Sequence, residues 1–139
     1  MNKKPFIILF ILICACSDNY DSYYADLEDA IKDGAVMRNL LPPWLPDTAK
    51  DIHISHNRSG SIVSIHLSYT GSWSLPGSCR IVNPYEARSP QIKTRSWPID
   101  IPPDKNSDYK HLYYLCNDLD YLALAPDKGE AFYWKVEVN

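Results

Sequence analysis

Apolar and polar positions alternate most clearly over residues 62–69, where Val63, Ile65, Leu67 and Tyr69 interleave with Ser64, His66 and Ser68. Successive strand side chains point to opposite faces, so this pattern predicts a half-buried β-strand. Ile52 to His56 predicts the strand before it, with Asn57-Arg58-Ser59-Gly60 as the reversal. Lys110 to Cys116 predicts a third strand. Tyr121 to Leu124 and Ala131 to Val136 predict a hairpin across Pro126-Asp127-Lys128-Gly129, whose residues suit a tight turn. Near the N-terminus the spacing changes: Tyr23, Leu27, Ala30 and Ile31 fall on one helical face, with Asp26, Asp29 and Asp33 largely opposite. Asp21 or Ser22 would cap this helix, which runs to about Asp33 with Gly34 just beyond.

Three prolines within residues 42–46 forbid a regular helix there, which leaves Trp44 and Leu45 as buried plugs under a fixed turn. Six of the eleven prolines fall in residues 71–108, a stretch that must be rich in loops. The expected fold class is α+β: one N-terminal amphipathic helix packed on a small antiparallel sheet of four to five strands, with a Pro-rich irregular middle. It forms one domain over residues 22–139, and a length of 139 residues has no room for two ordinary ones.

The first sixteen residues carry an address. Lys3 and Lys4 precede an unbroken apolar run from Phe6 to Ile13. That run is far shorter than the roughly 20 residues a membrane-spanning helix needs, so it reads as the core of an export signal. It ends in Leu12-Ile13-Cys14-Ala15-Cys16-Ser17. This resembles the bacterial lipoprotein signal, in which an aliphatic, a variable and a small residue precede a cysteine. The resemblance implies cleavage after residue 15, diacylglyceryl transfer to Cys16, and a lipidated tether over residues 16–21. With Ser17 at the second mature position, the sorting pattern implies the outer membrane, facing the periplasm.

Composition then narrows the partners. Fourteen basic residues against seventeen acidic ones give a net charge of −3, and loss of Lys3 and Lys4 with the leader makes it −5. An acidic chain without a basic run is no nucleic-acid binder. Six acids (Asp18, Asp21, Asp26, Glu28, Asp29 and Asp33) precede Gly34 beside a single Lys32, and they are expected to form a solvated helix face near the anchor. Acyl chains rather than electrostatics would therefore hold the protein at the membrane. With Cys14 removed and Cys16 acylated, Cys79 and Cys116 remain, and two thiols in an exported domain most often pair. Such a bridge contributes about 3–4 kcal/mol in the chain-entropy model.

Signatures of chemistry are sparse. No G-x-S-x-G elbow, phosphate loop, dinucleotide fingerprint or H-E-x-x-H occurs, so no catalytic residue, cofactor or metal is assigned. His53 and His56 point to opposite faces of a strand, and His53 and His66 can approach across the hairpin without an evident third ligand; they are expected to be exposed. Asp118 and Asp120 read as turn formers. The enriched resource is aromatic: Tyr109, Tyr113, Tyr114, Tyr121, Phe132, Tyr133 and Trp134 cluster near the C-terminus. Alternation puts Phe132 and Trp134 on one face, expected to be core, and Tyr133 on the other. Tyr133, with Tyr113 and Tyr121, then forms a candidate binding surface.

Leu41-Pro42 through Leu45-Pro46, Ala49 with Ile52, the lone Cys79, Trp97-Pro98, the Tyr114/Cys116 strand and Leu122 to Trp134 together resemble a group of small uncharacterised exported bacterial domains, often lipoproteins. The likeness spans most of residues 30–134, with Asn39-Leu40-Leu41 standing where such chains tend to carry a glycine and a tryptophan. It implies fold and location but no activity. The expected function is a non-enzymatic, membrane-anchored envelope lipoprotein with a binding or accessory role toward an envelope protein or glycan, an immunity or inhibitor protein being one version. The alternative is a small periplasmic hydrolase or peptidoglycan-active enzyme. A flat aromatic face would favour binding, and a cleft joining His66 or His111 to a carboxylate would favour catalysis.

Overall fold

The computed structural model describes residues 18–104 and 110–138; the leader, Cys16 and Tyr109 lie outside the described residues. The chain forms β1 (Asn19–Asp26), α1 (Leu27–Lys32), β2 (Lys50–Asn57), β3 (Val63–Ser68), β4 (Cys79–Ile81), a 3₁₀ turn (Pro84–Glu86), β5 (Leu112–Cys116), β6 (Asp120–Ala125) and β7 (Glu130–Lys135). All seven strands join one antiparallel sheet in the order β1-β2-β3-β7-β6-β5-β4. The expected α+β class is thereby overturned: the described residues form a seven-stranded antiparallel β-sheet with one six-residue α-helix.

The error is local. Residues 19–26 form a strand rather than a helix, because Tyr20, Tyr23 and Tyr24 favour a pleated surface and the whole segment finds a partner in β2. Helix α1 starts later, where Asp26 accepts a hydrogen bond from the Asp29 amide at 2.9 Å. The acids therefore share no single solvated helix face. Glu28 pairs with Lys32, and Asp33 pairs with Arg38 while accepting from the Tyr24 hydroxyl. Strand β1 also takes residues 19–21 out of the expected tether and into the sheet.

The strands at 50–57 and 63–68 and the hairpin of β6 and β7 form as their patterns indicate. Cys79 and Cys116 face each other across the β4–β5 pair with their sulfurs bonded at 2.03 Å.

Both faces of the central strands are covered. On one face Tyr24, Ile52, Ile54, Ile65, Leu67, Leu122 and Tyr133 pack beneath Ala30, Leu40, Leu41 and Leu45 from the segment that follows β1. Trp44 meets the Tyr133 ring edge-on there, at 5.9 Å between centroids. On the other face Tyr113, Tyr121, Ala123, Phe132 and Trp134 pack beneath a strap, residues 82–101, that contributes Val82, Ala87, Trp97 and Ile101. Tyr113, Tyr121 and Tyr133 are 2%, 6% and 2% exposed, so they are core residues and offer no binding surface. Alternation assigned Tyr133 and Trp134 to opposite faces correctly, but a second covering layer makes both faces interior.

Candidate functional site

The strap ends before the sheet does. Across the strap face one row of side chains runs Tyr23, His53, His66, Phe132, Ala123, Tyr113, and the next runs Asp21, Ser55, Ser64, Trp134, Tyr121, Leu115. Each row changes from polar on β1 and β2 to apolar on β7 and β6. The strap seals the apolar end and stops over β3. A groove of about 380 Å³ remains over β1 and β2, floored by Asp21, Tyr23, His53 and Ser55 and walled by Thr94, Arg95 and Ser96.

Polar contacts hold the strap where it stops. The Ser64 hydroxyl donates to the Ile92 carbonyl, and the Trp134 indole N–H donates to the Arg88 carbonyl at 2.7 Å. The Trp97 indole N–H donates to the Ile101 carbonyl at 2.7 Å, closing the strap on itself. These bonds satisfy backbone carbonyls that would otherwise be unpartnered under a loop.

The groove floor is ordered by its own contacts. Ser55 is buried, and its hydroxyl donates to the Asp21 carboxylate. The exposed Tyr23 ring tilts against His53 at 4.9 Å, and its hydroxyl donates to Asp51 at 3.0 Å. That bond and the neighbouring charge hold the Tyr23 phenol above its ordinary pKa. Asp51 has a positive φ of 49° and sits where the β2–β3 register slips by one residue, a bulge beside the groove rim.

Behind two residues that line the groove, Ser96 and His53, stands His66, half-buried rather than exposed as its alternating strand suggested. Its ring lies parallel to Phe132 (4.6 Å between centroids, 7° between planes), with His53 stacked at 6.2 Å. Nδ1 is 2.7 Å from the Ser96 hydroxyl, and Nε2 is 3.8 Å from a Glu130 carboxylate oxygen. Burial lowers the His66 pKa, the Glu130 charge pulls it upward and His53 pushes it down. The imidazole is thereby held toward its neutral form.

His53 and His66 are the pair that the hairpin brings together; His56 faces the other way and stacks on Tyr20. Among the described residues no three His, Cys, Asp or Glu side chains form a metal-holding group. His111 touches Phe132 edge-on at 5.9 Å but lies outside this groove. Asp120 accepts from the Tyr133 hydroxyl at 2.8 Å, and Asp118 remains an exposed turn residue. Sequence reasoning missed Asp21, Tyr23, Ser55, Thr94, Arg95, Ser96 and Glu130. The first two sat on a misassigned helix, and the strap residues carry no periodic signal at all.

Residues 18–59 match the family model described as the YbbD head domain. The match takes in β1, α1 and β2, and with them the groove floor, and it accords with a small domain. No curated protein and no solved structure matches the chain. Among the described residues no helix is long and apolar enough to cross a membrane.

Proposed function

We propose that the chain is a lipid-anchored envelope protein whose open groove engages another envelope component, a protein or a glycan. The leader pattern ending at Cys16 carries this reading. Two residues, Ser17 and Asp18, separate Cys16 from Asn19, the start of β1, which makes three steps of at most about 3.6 Å each in an extended chain. A diacylglyceryl group on Cys16 would therefore hold the start of β1 within about 11 Å of the anchored residue's backbone. The groove floor begins two residues further on, at Asp21, close to the end of β1 that such an anchor would hold. Tyr23 and His53 offer ring faces there, and Asp21, Thr94 and Arg95 offer acceptors and donors.

Radiolabelled palmitate should enter the full chain, and Cys16→Ser should abolish both the label and lipoprotein-type processing. Label persisting in that variant would sink the anchor assignment. For the groove, a photo-crosslinking amino acid at position 23 in intact cells should give a discrete adduct. The same group at Met37, which is 91% exposed on the opposite covering layer, should give none. Equal adducts from both positions would remove the groove from the reading.

A hydrolytic role has one specific observation in its favour, since His66 joins a hydroxyl to a carboxylate at the groove wall.

A further inference from the structure

We propose that Ser96, His66 and Glu130 form an acyl-transfer triad, with Ser96 as the nucleophile toward carboxylic esters that enter the groove. This goes beyond binding and does not depend on the lipid anchor.

The tautomer follows from the surroundings. Nε2 of His66 faces the Glu130 carboxylate, which can only accept, so the ring proton belongs on Nε2. Nδ1 then carries the lone pair, and the Ser96 hydroxyl at 2.7 Å donates to it. Nucleophile, base and orienting acid stand in that order, which is the arrangement that activates a serine. Nε2 is buried without a hydrogen-bond partner, and Glu130 at 3.8 Å is the group positioned to take that proton's charge. Such bonds are often long in a free enzyme and tighten when substrate binds. Phe132 beneath the ring and His53 beside it fix the imidazole plane.

A strap pin would need less. Ser64 secures the strap through a buried hydroxyl on a backbone carbonyl, with no titratable group involved. Ser96 differs because it is exposed, lines the groove, and meets a base with an acid behind it. Arg95 lines the same wall, which puts a cationic side chain beside the groove in which an oxyanion would develop. The groove holds about 380 Å³ and carries hydrogen-bonding groups at Asp21, Ser55 and Thr94, which suits an ester of a hydroxyl-rich alcohol with a short acyl group.

In the first step Ser96 Oγ bonds to the acyl carbon while its proton moves to His66 Nδ1. The bond from the acyl carbon to the alcohol oxygen breaks, its electron pair stays on that oxygen, and Nδ1 returns the proton to the departing alcohol. Water then attacks the acyl-serine, gives one proton to Nδ1, and releases the carboxylic acid as Ser96 regains its hydrogen.

The full-length, detergent-solubilised protein is treated with a fluorophosphonate probe and, separately, with nitrophenyl acetate and nitrophenyl palmitate. The expected result is a phosphonyl adduct mapped by mass spectrometry to Ser96, with the acetate ester turned over faster than the palmitate. Ser96→Ala should lose adduct and turnover, and His66→Gln should lower turnover by about 10²–10⁴-fold. Absence of an adduct at Ser96 in the unsubstituted protein overturns the triad, as does acetate turnover that survives Ser96→Ala. Adduct mapping needs no variant, so a folding defect cannot hide the answer. Crosslinking at position 23 and palmitate labelling read the anchored binding role separately.

Discussion

The two faces of the sheet are closed by different means. One face is covered by the chain that directly follows β1, and its closure is apolar: Ala30, Leu40, Leu41 and Leu45 settle onto Ile52, Ile65 and Tyr133. The other is covered by a long strap of low regularity. Its apolar contacts are centred on Trp97 and Ile101, and side-chain hydrogen bonds complete it at Ser64, His66 and Trp134. The first closure leaves little polar chemistry behind it. The second ends in a row of hydroxyl, imidazole and carboxylate groups at an open groove. A sheet whose rows turn from apolar to polar along their length thus obtains a site where its cover stops.

The largest expected effects test whether both faces are true interiors. Trp134→Ala and Tyr133→Ala should each destabilise the domain by about 3–5 kcal/mol, the range for large aromatics deleted from cores. Both side chains are almost completely buried, one in each core. Chemical denaturation of the two variants checks this. A Tyr133→Ala protein as stable as the parent would mean that the first face is a surface after all.

Next in size is the bridge that ties the short edge strand β4 to β5. Cys79 and Cys116 are 37 residues apart, and closing a loop of that length restricts the unfolded chain by about 3–4 kcal/mol. The Cys79→Ala/Cys116→Ala protein should lose stability of that order. Hydrogen exchange should rise first in the strap residues that follow β4, before the opposite cover. Uniform exchange across both covers would show that the bridge does not act through the strap.

Much of this difference was legible in the residues, and its omissions have physical causes. The alternation of Val63, Ile65 and Leu67 identified β3 and its faces, and Gly60 with φ of 74° made the reversal before it. What alternation cannot report is how many layers cover a strand. The signal for that lay in Tyr121 to Ala125 and Ala131 to Trp134, unbroken apolar runs of the kind found in strands buried on both sides. β1 was lost for a different reason. Asp26, Asp29 and Asp33 continue the helical spacing backward into a segment whose tyrosines prefer a strand, and only the pairing with β2 decides between the two. The groove is built on β1, β2 and the strap, and of these three only β2 was legible, so the groove could not emerge from the sequence. The contact of His53 with His66 was within reach of the hairpin register; that of Ser96 with His66, thirty residues apart, was not.

A smaller effect should separate the polar closure from the apolar one. Ser64→Ala leaves the Ile92 carbonyl without its donor beneath the strap, at a cost of about 1–3 kcal/mol. Tyr24→Phe removes a hydroxyl bonded to Asp33 at the rim of the apolar cover, where water can replace it, and should cost less. Limited proteolysis should cut the Ser64→Ala protein within residues 84–96 sooner than the parent. If Tyr24→Phe proves the more damaging variant, the polar contacts of the strap are not what holds it.

The smallest effect is a slope with pH, and it belongs to the strap face. His66 and His111 both have pKa values lowered from 6.5, in each case first by burial; Glu130 raises and His53 lowers that of His66, while Asp100 raises and Lys128 lowers that of His111. A histidine whose pKa is lower folded than unfolded is protonated first in the unfolded chain as pH falls. Its contribution is therefore complete above about pH 6.5 and declines below it, toward the folded value. The melting temperature should accordingly be lower at pH 5 than at pH 7.5. His66→Phe keeps an aromatic ring against Phe132 and removes one titrating group from that face, so it should flatten part of the decline and leave the part due to His111. An unchanged slope in that variant would show that the fold does not hold His66 neutral, and the asymmetry between the two covers would then reside in packing alone.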